Sequence, residues 1–264
     1  VGSRLDQLVS FGWGCGSTSM SRGAYVFRMI LEYKEAKYVD KQYANGEEWF
    51  KDRKPAILAL NPLANLPYLV DGDTCVCQTN AIMSYLGDKF DMNGTTEAQK
   101  IRTQELLCEI YDVRNSMIDL VYPFKRLVQD WPECDANQRG VRHQRQSKSL
   151  GTREADLDLR ADNLSGGKWF VLQDGPGVAD FHIWEMLDQH KMLSERIGGP
   201  DIFAEFPKCK AFYDAFKALP TLKNYFASEE QQDCEYLLCL SCRYMLSQFA
   251  IVASPTPRGP ATYS

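Results

Sequence analysis

Apolar residues recur along this chain with two periods, strand-like and helical by turns in the first third and helical alone afterwards. Residues 7–11 alternate weakly and predict a first strand. Over 22–36 the spacing is helical, with Val26, Phe27, Ile30 and Leu31 on one face and Ser21 placed to cap it. A second strand is expected over 38–43, its Lys and Asp facing outward, and 47–60 is read as a short helix and a loop. The runs 66–70 and 74–78 flank Asp71-Gly72, a strong signal for a tight hairpin. A helix over 80–90 closes this part.

Beyond a polar linker at 91–96, one long helix is predicted over 97–122, its stripe made by Ile101, Leu106, Ile110, Val113, Met117 and Leu120. Later helices are expected over 178–192, 203–216 and 222–226, with Phe181, Ile183, Trp184, Leu187 and His190 packed or lining a groove. The order β-α-β-α-β-β-α followed by helices gives an α+β class. A thioredoxin-like α/β domain spans 1–90, an all-helical domain 97–228, and a C-terminal extension 229–264.

Two segments break the periodicity. Residues 129–163 are charged, and 138–149 contain a single aliphatic residue, Val141. They read as a solvated insertion or as a basic surface for an acidic partner. Residues 236–253 are largely apolar and would pack on the helical domain, on another protein or on a membrane surface.

Composition narrows the classes. A chain of 264 residues with 44% hydrophobic and 25% charged residues is globular, and its net charge of −5 speaks against a nucleic-acid partner. It holds no uncharged apolar run long enough to span a membrane. Nine scattered cysteines read as reduced thiols, so a reducing intracellular compartment is expected, the cytoplasm first and an organelle second. The chain opens at Val1 without a basic, apolar leader, which leaves a removed targeting segment open. Cys239 and Cys242 form a CxxC with no second pair or nearby His, a weak metal signal.

The chemistry concentrates in Asn61-Pro62-Leu63-Ala64-Asn65-Leu66-Pro67-Tyr68-Leu69-Val70-Asp71-Gly72 and in Gln78-Thr79-Asn80-Ala81-Ile82. The second begins a helix, whose unpaired N–H groups and positive dipole end suit a carboxylate. A cis X-Pro bond before the strand would turn the backbone outward to pair with an extended ligand. The two features together describe a site for a small peptide with a free carboxylate.

These residues resemble the glutathione-binding half of the cytosolic glutathione transferases, nearest the mu and sigma type, with Thr79 where the family has Ser. The resemblance implies that Gln78 and Thr79 hold the γ-glutamyl carboxylate, that Asn65 and Leu66 meet the cysteinyl part, and that Pro67 is the cis proline. Trp49 and a cation among Lys51, Arg53 and Lys54, with Lys54 chosen, fall near the glycyl carboxylate. Asp112 falls on the residue that reaches the neighbouring subunit's glutathione, and Tyr122 on the wall for an apolar substrate. In Gly177-Val178-Ala179-Asp180 the fold's helix-capping hydroxyl is replaced by Gly177, so one side-chain bond is lost.

The family's catalytic Tyr is not found. Ser10 stands at its place on the first strand, Ser17 does so when counted back from Arg28, and Cys15 lies between. The reaction needs glutathione as a thiolate, and a free thiol ionises only near ~8.5 unless a donor or dipole assists. The resemblance implies a glutathione transferase, dimeric and active in detoxification, that joins the thiolate to apolar electrophiles, with glutathione as cosubstrate and no metal or bound cofactor. The rival reading is a catalytically degenerate binding or assembly subunit, docked through its C-terminal tail.

Overall fold

The computed structural model describes residues 7–11, 25–43, 47–121, 168–197 and 199–228. The readings of 129–163 and 229–264 lie outside them. Strands β1 (Gln7–Phe11), β2 (Asp40–Tyr43), β3 (Tyr68–Asp71) and β4 (Thr74–Cys77) form one sheet in the order β2-β1-β3-β4. β1 and β2 are parallel, so a crossover must join them, and α1 (Tyr25–Tyr33) lies on that connection. β3 runs antiparallel to both β1 and β4. The β3–β4 turn has Gly72 at φ +58°, the left-handed region that glycine enters without a Cβ penalty.

The expected element order holds, with changes of detail. Residues 47–60 contain no loop: a π-helical run, Glu48–Arg53, passes directly into α2 (Lys54–Leu60). After α3 (Thr79–Lys89) come α4 (Glu97–Val121), α5 (Val178–Ile197), α6 (Pro207–Lys217), a 3-10 turn (Pro220–Leu222) and α7 (Lys223–Phe226). None of the described helices is long and apolar enough to cross a membrane.

α1 is not the one-faced helix its spacing predicts. Tyr25 through Leu31 are all buried, because α3, α5 and the 3-10 turn also pack on the helix. That burial takes in Arg28, fully enclosed, whose Nε and Nη2 donate to Asp40 at 2.9 and 3.2 Å. Asp40 therefore does not simply face outward on its strand; it neutralises a buried guanidinium that could not otherwise be accommodated.

One core runs from α1 through α3 and α4 into α5 and α6, so both halves of the chain are held by the same apolar mass. Phe181, Ile183, Trp184, Leu187 and His190 are at most 2% exposed, which places them in this core and not along a groove. Trp184 stacks on Tyr213 and Phe216 at 5.4 and 5.2 Å and donates its indole N–H to the Tyr213 carbonyl. Burying each such ring contributes about 2–3 kcal/mol. A second, smaller cluster of Tyr43, Trp49, Ile57, Ala64, Tyr68 and Cys77 lies apart from it.

Candidate functional site

Register gathers the site. Tyr68 pairs with Cys77 at the end of the β3–β4 ladder, so Pro67, just before β3, and Gln78, just after β4, leave the sheet side by side. Val9 pairs with Tyr68 and Ser10 with Gln42, which brings the backbone of Ser10 to this same end. Ser17, Cys15 and Tyr122 lie outside the described residues.

The Leu66–Pro67 bond is cis, as expected of that proline. The preceding loop is held by Asn61, whose amide donates to the Cys75 carbonyl at 2.9 Å while its oxygen accepts from the Leu63 N–H. Asn65 is exposed and Leu66 half-buried against the small cluster.

α3 opens in an unusual way. Gln78 precedes it at φ +75° and ψ +132°, a conformation that side chains rarely adopt, and makes no side-chain cap. The N–H groups of Thr79, Asn80 and Ala81 meet no acceptor among the described residues. Such groups are orphaned at any helix start, and among the described residues these three are left unfilled beside an exposed Gln78. Asn80 pins this terminus to the helical half by donating to the Leu107 carbonyl of α4 at 3.2 Å. Asp112 follows Leu107 on the same helix, exposed.

Beneath lies the small cluster. Trp49 is 2% exposed and stacks on Tyr68 at 5.8 Å, with Tyr43 tilted against it at 5.6 Å. The hydroxyls of Tyr43 and Tyr68 share a hydrogen bond of 2.7 Å. Burial raises both phenols above their ordinary range, so they remain neutral donors, and the charge of Arg53 acts on both in the opposite sense. That places Arg53 within electrostatic reach of this end of the sheet. Lys54, chosen from the sequence, instead lies over the exposed Phe50 ring at 5.5 Å, and Lys51 is tied to Glu47. Spacing could not separate the three cations, because a π-helical run shifts the face each one occupies. Tyr43 was missed altogether: nothing in a tyrosine at a strand end marks it as facing a partner twenty-five positions on.

Among the described residues no group of three His, Cys, Asp or Glu side chains could hold a metal ion. The site offers a helix N-terminus unfilled among the described residues beside a cis peptide bond, an arrangement that suits an extended anionic ligand.

Comparison with known proteins agrees. Residues 18–88 match the family described as glutathione S-transferase, N-terminal domain, and residues 112–229 match glutathione S-transferase, C-terminal domain. The chain is 31% identical over 208 residues to glutathione S-transferase Mu 6 of Mus musculus, covering 76% of this chain and 84% of that one. It is 30% identical over 213 residues to glutathione S-transferase Mu 3 of Homo sapiens, covering 78% and 84%. Among solved structures, the glutathione S-transferase Blo t 8 superposes with a TM-score of 0.61 at 26% identity, over 86% of this chain and 94% of that one. The Onchocerca volvulus Pi-class enzyme superposes with a TM-score of 0.65 at 21% identity over the same shares, a likeness of fold alone.

Proposed function

This chain belongs to the glutathione S-transferase family, and from that premise we propose that it binds glutathione at the open start of α3 and joins its thiol to apolar electrophiles. The observation that carries the reading is the pairing of a cis Leu66–Pro67 bond with an uncapped, positive-φ helix N-terminus at Gln78–Thr79, side by side at one end of the sheet.

The Thr79 N–H and hydroxyl, with the Gln78 amide, take the γ-glutamyl carboxylate, where the helix dipole favours negative charge. The Leu66 backbone pairs with the cysteinyl unit as an added strand would, with Asn65 beside it. Arg53, or Lys54 if the side chain swings from Phe50, meets the glycyl carboxylate over the support that Trp49 gives. Asp112, exposed on α4, reaches the glutathione amine of a second copy in a homodimer, and Tyr122 lines the electrophile's seat. Bound in this way, the thiol lies at the end of β1. There Ser10, Ser17 or Cys15 donates to the sulfur and favours the thiolate, whose lone pair attacks the electrophilic carbon as the leaving group departs. No resident metal or cofactor enters this scheme.

The test combines retention on immobilised glutathione with turnover of a chromogenic aryl halide. Retention and turnover together are expected, with Ser10→Ala or Ser17→Ala lowering kcat more than the affinity for glutathione. Retention without turnover would instead mark a binding subunit. Loss of neither activity in both variants would overturn the hydroxyl assignment.

A further inference from the structure

Cys75 and Cys77 play no part in the scheme above. They alternate on β4, the edge strand of the sheet, and so share one face. Cys77 is 5% exposed and belongs to the small aromatic cluster, while Cys75 is half-buried at its margin. One thiol thus forms the floor and the other reaches solvent.

Two residues apart on a strand, the Cα atoms stand about 6.8 Å from each other. That is the outer limit for a disulfide, so two thiols on one strand face are near each other without being set to join. An atom inserted between them adds two bonds of its own to the span. We propose that Cys75 and Cys77 form a vicinal dithiol site for a trivalent, thiophilic centre of the arsenical type, bound through both sulfurs on the face of β4 that they share.

The chemistry needs no oxidant. With an aryl arsine oxide, two As–S bonds form, the As–O bond breaks, both thiol hydrogens leave with that oxygen as water, and arsenic stays trivalent. Only two protein donors are required, since the third valence is filled by the ligand's own carbon. Soft sulfur donors suit such a centre, and the second bond forms within the molecule at high effective concentration. Burial and the neighbouring thiol push Cys75 up to about 11, so it is a poor target for reagents that need a thiolate. Cys75 should therefore resist iodoacetamide while the pair captures the dithiol reagent.

The experiment uses full-length protein with Cys239→Ser and Cys242→Ser, which removes the other closely spaced pair, and phenylarsine oxide as the probe. Native mass spectrometry should show one tightly bound arsenical, displaced by 2,3-dimercaptopropanol and not by the same concentration of a monothiol. Cys75→Ser should weaken binding about a hundredfold. Cys77→Ala should match it, with a thermal melt confirming that it folds. Cys108→Ser, which changes an exposed thiol on α4, should bind as the parent does. Undiminished binding by Cys75→Ser, or displacement by the monothiol, would overturn the proposal. Neither readout depends on glutathione or on turnover, so failure here leaves the transferase reading untouched.

Discussion

Two helices in this molecule begin in opposite ways. α5 starts inside the core. The Asp180 carboxylate accepts from the Gly177 N–H at 2.7 Å and from the Phe170 N–H at 2.9 Å, and the Val178 N–H donates to the Met92 carbonyl at 3.0 Å. α3 starts at the surface, with Gln78 exposed, without a side-chain cap, and with its first N–H groups unclaimed among the described residues. A buried helix end must be filled by the protein itself, since water cannot reach it. An exposed end can stay open and keep its donors for a ligand. The first is an arrangement for stability, the second, on the function proposed here, for recognition, and substitutions at each should separate those two roles.

The largest effect is expected at Asp180. Changing it to Ala leaves the Gly177 and Phe170 N–H groups buried without acceptors, a loss of about 3–5 kcal/mol. Urea unfolding measures it, and a loss under about 1 kcal/mol would show that this end of α5 does not depend on the carboxylate.

The pH response of the same helix comes next. Burial pushes Asp180 up to about 7, against the bonds from Phe170 and Gly177 that draw it down. A raised carboxyl favours the fold below its ordinary range and loses that contribution as pH climbs toward 7. His182 and His190 act in reverse. Burial drops them to about 3 and about 4, the charge of Arg114 adding to the first and the Met186 carbonyl opposing the second. Both imidazoles favour the fold above pH 6.5 and lose this as pH falls, and two of them outweigh one carboxyl. Stability should drop by about 1–1.5 kcal/mol between pH 6.5 and 5. Among the described residues neither His182 nitrogen has a hydrogen-bond partner, and Glu185, 3.9 Å away, also accepts from Gln189, so His182→Leu removes one group that resists acid without orphaning another. It should flatten the profile, and an unchanged slope in denaturant midpoints would refute the assignment.

What the sequence revealed divides along the same line. The start of α3 was legible because every part of it is local: Asp71-Gly72 forces the hairpin, the hairpin sets the register, and Gln78-Thr79 must then begin the next element. The start of α5 was only half legible. Asp180 was readable as a cap and Gly177 as a lost bond, but nothing showed that the Asp180 N–H turns to the Gly177 carbonyl or that the Val178 N–H finds the Met92 carbonyl, far away in the chain. A Cβ at Gly177 would stand 3.2 Å from that oxygen, so the glycine is what allows the approach. Arg28 and Asp40 failed in the same way. A charge on a helix and another on a strand each look solvated until the fold brings them together.

At α3 the effects should be smaller and should fall on the ligand. If Thr79 donates to the carboxylate as proposed, Thr79→Ala should lower glutathione affinity about tenfold by calorimetry. Stability should move by less than about 1 kcal/mol, because this terminus is open in the free protein and no buried group is left without a partner. A loss of stability as large as that at Asp180 would collapse the distinction between the two ends.

The smallest and sharpest case is Gln78→Gly. At φ +75° and ψ +132° a residue with a Cβ is strained, and such strain costs about 1–3 kcal/mol. Glycine relieves it at the expense of a more flexible unfolded chain, for a net gain of about 0.5–1 kcal/mol. If the strained backbone exists to aim the Gln78 amide at a carboxylate, the variant should become more stable while binding glutathione more weakly. If the conformation were merely tolerated, stability would rise and binding would not change. Opposite movement of the two readouts at one position is the outcome that only a recognition role for the open helix end produces.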